Sequence, residues 1–155
     1  MTRRIFISYQ HRDQLKAKGF NLMRYNKHLD LEFLGRHLLD PLKSDDPGYI
    51  SRRIRERLKG TSVTVVLIGD VTAQSIWVSR EIQWSLEKNP PNGILGIRLS
   101  PGAPVPDELT GRGAEILKWY KPEDVHEFRD AIERAAMAAR SARLIPTNPA
   151  STCSR

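Results

Sequence analysis

The chain has 155 residues, 39% of them apolar, with a formal net charge of +7 and a single cysteine, Cys153. That length fits one domain, since domains cluster at roughly 100–150 residues, and no run of about 18 apolar residues exists to span a bilayer. One cysteine excludes a disulfide framework or a cysteine-based metal site within the chain, while the positive charge raises nucleic acid as a partner.

Arg3 to Tyr9 predicts a first strand, because Ile5 and Ile7 alternate with Phe6 and all three favour β structure. The same stretch is too short for the apolar segment of a signal peptide, so a cytoplasmic protein is expected. Ser8 to Asp13 is polar, and Asp13 is placed to cap a helix running to about Met23, which Gly19 weakens. Leu29 to Leu34 predicts a second strand, and Asp40 to Gly48, with its prolines and acids, predicts a loop. A helix is expected from about Tyr49 to Lys59, where Ile50, Ile54 and Leu58 fall at i, i+4 and i+8, with Gly60 as its terminator. This helix carries the densest basic run, Arg52 to Lys59, on its solvent side. It has neither interleaved aromatics nor a nucleic-acid motif, so nucleic acid is not expected as a partner, although the charge suits an anionic ligand.

Ser62 to Ile68 is nearly continuous in β-branched residues, as a strand buried on both faces of a parallel sheet requires. Gly69 to Thr72 turns the chain, a helix is predicted from about Ser75 to Lys88, and Asn89-Pro90-Pro91-Asn92-Gly93 ends it. Ile94 to Leu99 predicts another strand, followed by a loop through Gly113 and a short last strand over Ile116 to Tyr120. Pro122-Glu123-Asp124 opens a final helix reaching about Arg143, with proline in the first turn and acids at the positive dipole end. The domain is thus expected over residues 1–143, with 144–155 a disordered tail. Strands alternating with helices imply an α/β fold, an open parallel sheet with helices on both faces. Ligands in such sheets lie beyond the carboxyl ends of the strands, which points to the loops Ser8–Asp13, Asp40–Gly48 and Gly69–Ser75.

On the helix from Ser75, Val78, Ile82 and Leu86 form one stripe, expected against the sheet. Trp77, Glu81, Trp84 and Lys88 form a second stripe on the flank, so an aromatic surface and a carboxylate stand one turn apart near the ligand edge. Here the residues resemble a known family. Ser75-x-Trp77-Val78-x-x-Glu81-Ile82, following a strand, looks like the helix that carries the catalytic glutamate in NAD-cleaving TIR domains, and Phe6-Ile7-Ser8-Tyr9 looks like their first strand and loop. More narrowly, the block from Val63 through Gly69, Thr72, Ser75 and Trp77 to Glu81-Ile82 is similar to the TIR-like proteins of bacterial Thoeris antiphage defence. The resemblance spans roughly Arg3 to Arg140.

It implies a flavodoxin-like TIR fold with a five-stranded, mostly parallel sheet, NAD as substrate rather than bound cofactor, and release of nicotinamide. Its Thoeris members make a cyclic ADP-ribose isomer that reaches a separate effector protein by diffusion. By the match, Glu81 is the catalytic glutamate, Trp77 an aromatic that stacks on the substrate, and Ser8, Tyr9, Gln10, Asp45, Asp46 and Ser75 are substrate contacts. Some relatives carry Phe-His after the strand-end serine, where this chain has Tyr9-Gln10. The family also implies work in homo-oligomeric assemblies. One carboxylate suffices for the chemistry, because nicotinamide leaves as a neutral group and the transition state resembles an oxocarbenium ion.

Plainer readings stand beside these. Glu81 can be a solvated flank residue, Trp84 a core residue, and Asp45 and Asp46 turn formers before Pro47-Gly48. His11, His28, His37 and His126 have no partner at metal-ligand spacing, so no metal is expected. Without a Gly-x-Gly-x-x-Gly fingerprint, NAD as a redox cofactor is not expected, and Ser8 lacks the partners of a serine hydrolase. The rivals to an enzyme are a non-catalytic TIR protein-interaction module and a flavodoxin-like nucleotide sensor.

Overall fold

The computed structural model describes residues 3–21, 31–35, 46–110, 114–119 and 127–144. Five strands, β1 (Arg3–Ser8), β2 (Leu31–Gly35), β3 (Val63–Ile68), β4 (Gly93–Arg98) and β5 (Glu115–Lys118), form one sheet in the order β2-β1-β3-β4-β5. Every neighbouring pair is parallel. This is the doubly wound, flavodoxin-like order, in which β1 and β3 lie side by side where the chain reverses its direction of winding.

Alternation along the strands divides the core between two faces. Ile5, Ile7, Val63, Val65 and Leu67 join Phe128, Ala131 and Ile132 on one face, beneath α1 (Gln14–Asn21) and α5 (Phe128–Leu144). The neighbours Phe6, Val66 and Ile68 point the other way, against α2 (Pro47–Leu58) and α3 (Ile76–Glu87). Each residue of β3 is buried, as a central strand covered on both sides must be. Ion pairs tie the helical layer to the sheet: Arg3 grips Glu133 of α5 through Nε and Nη2 at 2.9 and 2.8 Å, and Arg134 grips Glu115 of β5.

The caps explain where the helices begin and end. Asp46 accepts from the Gly48 amide at 3.1 Å with Pro47 in the first turn of α2, and Gly60, at φ 80°, takes the left-handed conformation just past its end. Ser75 caps α3 through the Val78 amide at 3.2 Å. Two expectations are corrected. Asp13 does not cap the first helix; Gln10 accepts from the Arg12 amide at 2.6 Å and begins a 3₁₀ turn, His11–Asp13, that leads into α1. The stretch expected as loop before β5 contains a short helix, α4 (Asp107–Thr110), which follows Pro106 and places Asp107 and Glu108 at its positive end. The end of the predicted first helix (22–23), the start of the predicted second strand (29–30), the opening of the last helix at Pro122–Asp124, and all of the expected tail except Leu144, which closes α5, lie outside the described residues.

Candidate functional site

The candidate site is assembled where the carboxyl end of β1 meets the first turns of α3. Ser8 is the last residue of β1, and alternation directs it to the same face as Phe6, toward α3. The Ser75 cap sets the phase of α3 so that Glu81 falls in its second turn, one turn beyond Trp77. The two elements meet through one short hydrogen bond: Ser8 Oγ donates to Glu81 Oε1 at 2.7 Å across 73 residues of sequence. Both side chains have 0% exposure. A carboxylate taken from water is costly unless hydrogen-bonded, so this contact is one the fold needs.

Such burial changes the reading of α3. Val78 and Ile82 pack against Val66 and Ile68 as expected, with Leu86 beside them. The second stripe does not lie on an open flank: Trp77 and Trp84 are half-buried against Phe6, Ile54 and Leu58, and Glu81 between them faces inward. The solvated-glutamate reading is therefore excluded. Cations cover the two indoles, with Arg80 5.1 Å from the Trp77 ring centre and Arg55 5.6 Å from that of Trp84. Ser85, one turn after Glu81, is also buried and donates from Oγ to the Glu81 carbonyl at 2.7 Å.

The other residues singled out in the sequence are dispersed. Tyr9 is 2% exposed but belongs to the opposite face, packed with Ile7 and Ala17, so it is not brought to Glu81. Gln10 and Asp46 serve as caps, and Asp46 is exposed, in keeping with the turn-forming reading of that residue. Ser75 is half-buried and engaged at the head of α3. Asp45 lies outside the described residues. The fold thus joins Ser8 and Glu81 with Trp77 alongside.

At the same sheet edge stands a group that the sequence reading did not single out as functional. Thr72 Oγ1 accepts from the Gly69 amide at 2.8 Å, donates to the Leu67 carbonyl at 3.1 Å, and lies 3.5 Å from Asp13 Oδ2. Asp13 comes so close to Gly69 that a Cβ there would collide with its carboxylate. Burial pushes the Asp13 carboxyl up from its ordinary range, opposed by Lys16 and Thr72 and reinforced by Asp70. Only the Gly69 and Thr72 positions in the family-like block hinted at this contact. Among the described residues, no cluster of three or more His, Cys, Asp or Glu could hold a metal ion, and no helix is long and apolar enough to cross a membrane.

Comparison with known proteins agrees with this architecture. No curated protein matches the chain. Among solved structures, the flavoenzyme NAD(P)H:(acceptor) oxidoreductase FerB from Paracoccus denitrificans is 13% identical with a TM-score of 0.52, covering 90% of this chain and 98% of its own. The FMN-dependent cysteine decarboxylase SpaF is 12% identical with a TM-score of 0.51, at the same coverage of 90% and 98%. At such identities the likeness is one of fold. The TIR domains of the activated Roq1 resistosome, which recognizes the pathogen effector XopQ, align at 15% identity and a TM-score of 0.45 over 88% of this chain and 84% of theirs. The family model described as "Thoeris protein ThsB, TIR-like domain" matches residues 6–102. Its span takes in the end of β1 and all of β3, α3 and β4, and with them both Ser8 and Glu81, so that more than half of the chain is accounted for and it belongs to the family of Thoeris ThsB TIR-like domains.

Proposed function

We propose that this domain cleaves NAD at the nicotinamide–ribose bond with Glu81 as its catalytic carboxylate, and yields a cyclic ADP-ribose-type signal in bacterial antiphage defence. The observation that carries the reading is the Ser8–Glu81 pair, a fully buried carboxylate at the carboxyl end of the sheet, where doubly wound folds bind ligands. A carboxylate held in a low-dielectric setting interacts strongly with a developing positive charge on ribose, and Ser8 fixes its orientation before the substrate arrives. Nicotinamide departs as a neutral molecule and needs no acid. The nucleophile that follows decides the product: water gives ADP-ribose, whereas an atom of the same molecule closes a ring. Trp77, adjacent to Glu81 on α3, is the residue assigned to exclude water and fold the adenine back.

Because Glu81 has no exposure, ribose reaches it only when the covering groups move. This supports a domain that is quiet alone and becomes active in an assembly or on infection. Its product diffuses to a separate effector within the cytoplasm, and NAD is a substrate with no resident cofactor required.

The same burial favours one other reading, a non-catalytic TIR interaction module in which Ser8 and Glu81 are an internal polar pair of structural value. The two separate in one experiment. Nicotinamide release from NAD is measured for wild type and Glu81→Gln at high protein concentration, with and without lysate from infected cells, and products are resolved by mass. Release by wild type and its loss in Glu81→Gln supports the enzyme, and a product lighter than ADP-ribose by one water makes it a cyclase. Silence of wild type in every condition overturns the enzyme and leaves the module.

A further inference from the structure

A small cavity of about 140 Å³ opens at the opposite, amino-terminal edge of the sheet, between the start of β1, the residues leading into β3, the prolines after α3, and α5. Arg3 opens the strand that Ser8 closes, so the length of a six-residue strand, roughly 16 Å, separates this place from the Ser8–Glu81 pair. Ala136 and Ala139 of α5 give the cavity small apolar side chains, and its charged lining is cationic: Arg3, Lys88 and Arg140 face it, with no acid among the described residues around it.

Two hydrogen bonds place charged ends at the cavity wall. Arg3 Nη1 donates to Ser62 Oγ at 2.9 Å and Lys88 Nζ donates to the Pro90 carbonyl at 2.8 Å, and both accepting residues line the cavity themselves. The fold has satisfied the three cations unequally. Arg3 is gripped by Glu133 through Nε and Nη2, so its position is fixed and its charge matched. Lys88 is half-buried, and burial alone holds its ammonium below the ordinary range, with no carboxylate to restore it. Arg140 is exposed and makes no ion pair among the described residues, although its charge helps to lower Glu133. Ser62 Oγ, having accepted from Arg3, keeps a proton for which no described residue supplies an acceptor. The remaining ammonium hydrogens, a guanidinium and a hydroxyl proton thus border one small space, and all of them are donors.

We infer that this cavity is a binding site for a dianionic phosphate group, with Lys88, Arg140 and Ser62 as its donors and Arg3 as a fixed positive wall. A phosphate accepts through several oxygens at once, which suits donors brought together from separate segments of chain, and it supplies the counter-charge that Lys88 and Arg140 lack. The volume limits what enters: it holds one tetrahedral group but falls below the range of about 300–1,000 Å³ for sites that enclose a whole organic ligand. The occupant is therefore inorganic phosphate, or the phosphate of a larger monoester whose body stays outside. The site depends on neither Glu81 nor NAD.

The test follows amide resonances of the isotopically labelled full chain, above the second ionisation of phosphate, with sodium chloride holding the ionic strength constant. Inorganic phosphate is expected to shift Ser62, Lys88, Ala139 and Arg140 with a dissociation constant on the order of 1 mM, and acetate at least about tenfold more weakly. Adenosine monophosphate serves as the second probe. Binding about tenfold tighter than phosphate supports the site with a phosphomonoester as occupant, and equal or weaker binding supports it with free phosphate. Lys88→Gln and Arg140→Gln leave the Arg3–Glu133 pair in place, and each is expected to weaken phosphate about fivefold or more while the rest of the spectrum stays unchanged. No shift at these residues up to about 20 mM phosphate, an equal response to acetate, or an affinity unchanged in both variants would each overturn the inference.

Discussion

Glu81→Gln preserves the shape of a side chain with no exposure and can still accept the Ser8 hydroxyl, while removing the charge assigned to the transition state. The variant should melt at or above the wild-type temperature, yet lose nicotinamide release by about 10²-fold or more. Ser8→Ala acts differently, because it takes a hydrogen bond from a buried carboxylate. Its expected cost is about 1–3 kcal/mol in denaturant or thermal unfolding, together with reduced release. A Ser8→Ala protein as stable as wild type would mean that the 2.7 Å contact contributes nothing. Asp13 behaves in the opposite sense to an ion-paired acid. Its folded-state value is raised, chiefly by burial, so the charged form penalises folding at neutral pH and the penalty fades as pH falls through the folded value. Asp13→Asn should therefore raise the melting temperature at neutral pH, with the gain disappearing below the ordinary value of 3.8.

At the scale of elements, α3 is the member that joins the proposed chemistry to the fold. Its Val78–Ile82 stripe is bonded to the sheet by packing alone, whereas its other side is anchored by polar contacts: Ser8 on the Glu81 carboxylate and Ser85 between Thr64 and the Glu81 carbonyl. Thr64→Val keeps the volume but deprives Asn92 Nδ2 of an acceptor and Ser85 of a donor. A loss of about 1–3 kcal/mol is expected in equilibrium unfolding. In the proposed reaction, Trp77 is assigned to the choice of product rather than to turnover. If it shields the reacting sugar from water, Trp77→Ala should raise the ratio of linear to cyclic ADP-ribose, read by mass spectrometry, more than Trp77→Phe does. An unchanged ratio in both variants would remove Trp77 from the choice of product.

Across the whole molecule, the layers are held by ion pairs that make acid stability a property of the assembly of α5 on the sheet. Glu133 is held below the usual carboxylate range first by its hydrogen bond from Arg3, and Glu115 likewise by Arg134. A depressed folded value adds stability that is complete above the unfolded value and is lost as pH falls through the folded one. Acidification below the ordinary value of 4.5 should therefore lower the melting temperature, and Arg3→Met should flatten that decline. Both pairs are partly exposed, so added salt should reduce the same contribution.

Much of this arrangement was legible in the chain itself. Alternation over Ile5, Phe6 and Ile7, the unbroken β-branched run at Val63–Ile68 and the i, i+4 stripes of α2 and α3 are local patterns, and each names an element and its buried face. The same alternation already separates Tyr9 from Ser8, since successive strand residues face opposite ways, a consequence that family likeness alone obscured. The position of Glu81 one turn past Trp77 was equally a matter of helical period. Its environment was not. Burial of the carboxylate depends on β1 arriving from 73 residues away to offer Ser8, and the Asn92–Thr64–Ser85 chain joins residues 28 and 21 positions apart. Period and propensity are set by near neighbours along the chain, whereas hydrogen-bond partners and exposure are set by which surfaces meet when the layers close, and those contacts leave no local trace in composition or spacing.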